Sequence, residues 1–138
     1  MAQQEQAAVV RDHRDYFHLM NQYLLVQAWA LNNVLKGCGV NSSSQREEIC
    51  AQFGVSMGQL FDSEWLRVNG KQYFPLLMFS ERFLTHSRTF EQLGALLGPN
   101  KLDEFHPLAV DAATILFGDQ NEVIDEQSVG SVEPSDQE

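Results

Sequence analysis

The stretch 7–36 constrains the fold more than any other part of the chain. At about 100° per residue, Phe17, Met20, Leu24, Ala28, Leu31 and Leu35 fall on one side of a helical wheel. Leu19, Tyr23, Val26, Ala30 and Val34 lie beside them, so roughly half of the circumference is apolar, with Gln27 intruding. Asp15, His18, Gln22 and Asn33 mark the opposite side, which Leu25 and Trp29 interrupt. A helix this long and this broadly apolar either runs through the middle of a small domain or lies against a partner. Gly37 and Gly39 end it.

A chain of 138 residues fits one domain. With 43% hydrophobic residues it can bury a core without disulfides or metal. Cys38 and Cys50 match no zinc or redox spacing and read as reduced thiols. The opening MAQQEQAAVV has neither the basic nor the apolar region of a secretory signal. The longest apolar run, 23–31, is too short to span a bilayer. The expectation is a cytoplasmic protein with no membrane partner.

The net charge of −10 is unevenly placed. Residues 1–100 carry eight basic and nine acidic groups, whereas 101–138 carry one and ten. The body is therefore nearly neutral, and acidity alone does not exclude nucleic acid. Residues 119–138 hold seven acidic groups, no Lys or Arg, and Val123, Ile124, Val129 and Val132 as their large apolar residues. That composition predicts a disordered acidic tail after a helical domain over 1–118.

Between these ends the sequence predicts a helix-turn-helix-like corner and a hairpin over about 44–75. Ser44 and Glu47 have the spacing of a capping box, opening a helix over about 45–53. Gly54-Val55-Ser56 supplies a turn, and a second helix over about 57–64 follows. Cys50 is small enough for a helix crossing, and Ile49, Val55 and Leu60 can pin the two helices. Ser63 stands where a further apolar residue belongs, unless Trp65 substitutes. Asn69-Gly70 between two runs rich in Val, Leu, Tyr and Phe is a strong hairpin signal, ended by Pro75. Residues 76–99 read as one or two helices, with Thr89 and Gln92 spaced as a capping box and Gly98-Pro99 as a stop. A last helix starts at His106-Pro107, turns Leu108, Ala112, Ile115 and Leu116 inward, and closes at Gly118. The fold class is mainly α with one small β-hairpin.

The corner has the shape of a DNA reader without its chemistry. Base contacts come from Arg, Lys, Asn and Gln at the start of the second helix. Here that helix offers Gln59, no cation, and the carboxylates Asp62 and Glu64. Phosphate affinity requires cations, and those nearby are Arg46, Arg67 and Lys71. A winged helix-turn-helix-like DNA-binding regulator using Arg46, Gln59, Arg67 and Lys71 is thus the disfavoured alternative.

Catalytic signals are weaker still. No serine sits in a Gly-x-Ser-x-Gly elbow. His13 and His18 lie about 140° apart around a helix and cannot easily share an ion. Asp15 and His18 do share a face, which leaves a small metal-dependent enzyme as a second alternative. No cofactor or metal is expected. The favoured reading is a non-catalytic regulatory or adaptor protein that contacts another protein, or itself as a homodimer. Its candidate surfaces are Leu25 and Trp29 on the first helix, and Phe61 with Trp65, since large aromatics among charges are typical of contact hot spots.

Overall fold

The structure, a computed structural model, describes residues 9–10, 13–99, 104–118 and 130–131. It is a mainly helical single domain of three packed helices with two small sheets. In chain order the elements are β1 (Val9–Val10), α1 (His13–Gly37), α2 (Ser43–Ser63), β2 (Leu66–Val68), β3 (Lys71–Tyr73), β4 (Phe79–Ser80), β5 (Leu96–Leu97) and α3 (His106–Gly118). The predicted disordered tail, 119–138, lies outside the described residues except for 130–131.

The first helix begins at His13 rather than near residue 7. Val9 and Val10 instead pair in parallel with Leu96 and Leu97, as suits β-branched residues offered a free strand edge. Along α1 the buried residues recur every fourth position: Tyr16, Met20, Leu24, Ala28 and Asn32. Tyr16 is fully buried, whereas Phe17 in the expected stripe is 37% exposed. The Tyr16 hydroxyl donates to the Leu77 carbonyl at 2.7 Å, so its polar end is satisfied inside.

The expected turn at Gly54 is not there. α2 runs unbroken through Gly54 and Gly58 to Ser63, so the expected corner within 44–64 does not form. The reason lies in α3. A Cβ on Gly54 would sit 2.9 Å from Ala109 Cβ, and one on Gly58 would sit 2.6 Å from the His106 backbone nitrogen. Cys50, Gly54 and Gly58, spaced by four, form a low ridge that meets Ala113, Ala109 and His106 of α3 in turn. Each glycine costs the helix about 1 kcal/mol relative to alanine, which the close approach of α3 offsets. The start of α2 also differs. Its cap is Ser42, whose hydroxyl accepts from the Gln45 amide at 3.2 Å, two residues before the expected Ser44.

Residues 76–99 do not form the expected helices. β4 pairs antiparallel with β5, which lies between β4 and β1. Gly94 has φ +81°, outside the helical range. Short apolar runs such as Leu96-Leu97 suit either element, and pairing on both edges decides for strand. Of the expected capping box, the Gln92 side chain does accept from the Thr89 amide at 2.7 Å, but it opens only a three-residue 3₁₀ turn.

Two predicted elements stand. The hairpin turns at Asn69-Gly70, with φ of 52° and 78°. α3 spans His106–Gly118. Its buried residues are Ala109, Ala112 and Ala113, while Leu108 and Leu116 are partly buried. Ile115 is 54% exposed and faces away from the core, because the stripe centres on Ala109, Ala112 and Ala113, which leaves position 115 on the far side of the helix. The core places Tyr16, Met20 and Leu24 against Phe105, Ala109 and Ala112. A smaller cluster joins Ala28, Cys50 and Ala113.

Candidate protein-contact surface

Three of the four residues expected at a contact surface lie on helices, and the structure separates them by burial. Leu25 and Phe61 are partly buried against the core. The Phe61 ring lies 5.3 Å from that of Phe105, at 45°. Trp29 on α1 and Trp65 just before β2 stay 41% and 44% exposed. An open apolar surface that the sequence did not single out lies elsewhere. It is the β2–β3 arm itself.

The arm pairs Leu66 with Tyr73, Arg67 with Gln72, and Val68 with Lys71. Side chains alternate between faces, so Leu66, Val68, Lys71 and Tyr73 share one face. Arg67 and Gln72 share the other. Leu66, Val68 and Tyr73 are each more than half exposed, and so are Phe74 and Leu76 just beyond. In a hairpin that packs on its own domain, one face would be covered. Here all six strand residues are exposed. The Arg67 guanidinium lies 5.1 Å from the Trp65 ring, a cation–π contact at the base of the arm. It also donates to the Gly70 carbonyl at 3.4 Å.

The expected DNA-contact residues are dispersed. Arg46 is held in the seam between α1 and α2. Its Nε donates to Asn32 Oδ1 and its Nη1 to the Val40 carbonyl, both at 2.8 Å. Gln59 is exposed on α2. Arg67 and Lys71 leave opposite faces of the arm. Asp15 lies 3.9 Å from Arg14 Nε, and the His18 ring stacks edgewise on Phe17. Among the described residues, no group of three or more His, Cys, Asp and Glu converges on one point.

A pairing that the sequence reading missed joins Asp62 to His106. Asp62 Oδ1 accepts from the Phe105 amide at 2.7 Å, and Oδ2 accepts from the His106 amide at 2.9 Å. His106 Nδ1 lies 2.6 Å from the same Oδ2. The carboxylate side chain is only 5% exposed. Asp62 thus caps α3 from the far end of α2. A signal was available: Phe105 precedes His106-Pro107, and Phe cannot cap a helix. Two groups, the partly buried Tyr23 and the buried Cys50, have shifted titration. Burial raises the Tyr23 hydroxyl, and it raises the Cys50 thiol against a smaller opposing pull from Arg46.

Among the described residues, no helix is long and apolar enough to cross a membrane. Comparison with protein-family models, with curated proteins and with solved structures returned no match.

Proposed function

We propose that this chain is a non-catalytic protein-contact module, and that it engages its partner through the β2–β3 arm. One observation carries the reading: Leu66, Val68 and Tyr73 form an apolar face, each more than half exposed, on a hairpin the body leaves uncovered. An isolated two-stranded hairpin is marginal in water, and exposed contiguous apolar surface marks contact sites. Trp65 and Arg67, stacked at its base, are the residue types that dominate interface energetics. The helix-turn-helix that motivated the DNA reading is absent, and Arg46 is committed to Asn32 and Val40.

The test is site-specific photo-crosslinking in cells that express the protein. A crosslinker replacing Val68 should trap a discrete partner, and one replacing Gln52 on the exposed side of α2 should not. Equal trapping at both positions, or none at Val68, would reject the arm as the contact surface.

A further inference from the structure

We infer that the arm takes an extended, acidic segment of another protein, added as a third strand along β3; this rests on the contact reading above and names its partner chemistry. Three observations converge on it. The first is the free edge. In a two-residue hairpin the pairs Val68–Lys71 and Leu66–Tyr73 exchange ladder hydrogen bonds, and the pair between them does not. The Gln72 amide and carbonyl therefore point outward from β3, and those of Arg67 outward from β2. Among the described residues neither edge is paired with another strand. An open edge is a template for a further strand.

The second is charge. From Trp65 to Ser80 the chain carries Arg67 and Lys71 and no carboxylate, in a protein whose net charge is −10. Arg67 is occupied by Trp65 and the Gly70 carbonyl, which leaves Lys71 on β3 to meet a partner's charge. A second copy pairing antiparallel through Gln72 would set Lys71 opposite Tyr73 and leave the cation without a carboxylate, so an acidic segment fits the edge better. The third is the alternation of the face. On this face an added strand lies directly beside Lys71 and Tyr73 of β3, with Leu66 and Val68 one strand further on. The fitting segment therefore carries Asp or Glu opposite Lys71 and a β-branched apolar residue opposite Tyr73, two positions apart on one face.

The probe is a synthetic Glu-Val peptide, repeating Glu-Thr-Val-Thr so that Glu and Val alternate along one face, titrated into the full-length protein and followed by amide NMR. Two controls accompany it: the Lys-Val counterpart, and the Glu-Val peptide N-methylated on its pairing edge. The Glu-Val peptide should bind and shift the Gln72 amide. The Lys-Val peptide should bind about tenfold more weakly, from lost and reversed charge pairing. N-methylation should abolish binding. Gln72→Pro, which removes the outward amide but no ladder bond, should do the same while Arg67→Pro does not. Deleting residues 119–138 should leave the affinity unchanged.

Equal binding of the Glu-Val and Lys-Val peptides would overturn the acidic partner. Duplex DNA shifting the arm in a Lys71-dependent way would overturn a protein partner. Light scattering showing a dimer that Val68→Glu dissolves would assign the arm to a second copy. A large gain in affinity on deleting 119–138 would assign it to the chain's own acidic end. If the peptide fails while Val68 still crosslinks a protein in cells, the partner chemistry falls and the contact surface stands. If both fail, both fall.

Discussion

Asp62 closes the start of α3 by accepting from the His106 backbone amide, forty-four residues further along the chain. Helix N-termini carry unpaired amides, and a local Ser, Thr, Asp or Asn commonly satisfies them. Here the cap is imported. It ties the end of α2 to the beginning of α3 and fixes how the two align.

Removing that carboxylate has a stated cost. Asp62→Ala leaves two part-buried amides and the His106 ring without their acceptor, and should destabilise the fold by about 2–3 kcal/mol. Asp62→Asn keeps one acceptor oxygen and should cost about 1–2 kcal/mol. His106→Ala should cost least, because the backbone amides keep their partner. Urea denaturation of the three variants gives the order, and equal losses would contradict a capping role.

The glycines of α2 invert the usual expectation for a helix. On an exposed face, Gly→Ala gains up to about 1 kcal/mol. Gly58→Ala should instead lose more than about 2 kcal/mol, because its Cβ meets backbone atoms of His106 at 2.6 and 2.7 Å. Gly54→Ala meets the Ala109 side chain at 2.9 Å and should lose less. Gly118→Ala has nothing within 4 Å and should be neutral or slightly stabilising. Thermal melts of the three variants provide the ranking.

The arm should fail separately from the body. Gly70 has φ +78°, so Gly70→Ala costs about 1–2 kcal/mol at the turn. Since β2 and β3 bury nothing against the core, amide exchange should accelerate at Leu66–Tyr73 and remain unchanged at Tyr16, Met20 and Leu24. A matching loss of protection in the helices would show that the arm supports the core.

The two thiols should differ sharply in reactivity. Cys38 is exposed and should react with a disulfide reagent at once. Cys50 is 2% exposed, its thiol donates to the Ala28 carbonyl, and it should react only as the helices open. Because burial raises its titration, the folded state holds the proton more tightly than the unfolded chain. The stability it contributes is full below the ordinary thiol range and declines as the pH rises through it. A Cys50→Ser variant should flatten that decline in alkaline denaturation curves.

What the sequence revealed follows the range of the interaction responsible. Asn69-Gly70 was legible because a two-residue turn depends on its own backbone angles. The bounds of α3 were legible from His106-Pro107 and Gly118 for the same reason. Gly54 was read as a turn because its actual purpose depends on Ala109, far along the chain. Leu96-Leu97 was read as helix because its strand partners, Val9-Val10 and Phe79-Ser80, are distant in sequence. At the candidate surface, Trp65 was found by composition. Leu66, Val68 and Tyr73 were passed over because alternating residues in a hairpin ordinarily hide one face, and only the packed body shows that none is hidden.

The arm's independence from the core has an evolutionary consequence. Substitutions at Val68 or Tyr73 can alter the exposed face without lowering the amount of folded protein, whereas changes at Gly58 or Asp62 lower that amount. A lineage carrying this chain can therefore change what the arm displays one residue at a time, on a scaffold that stays still.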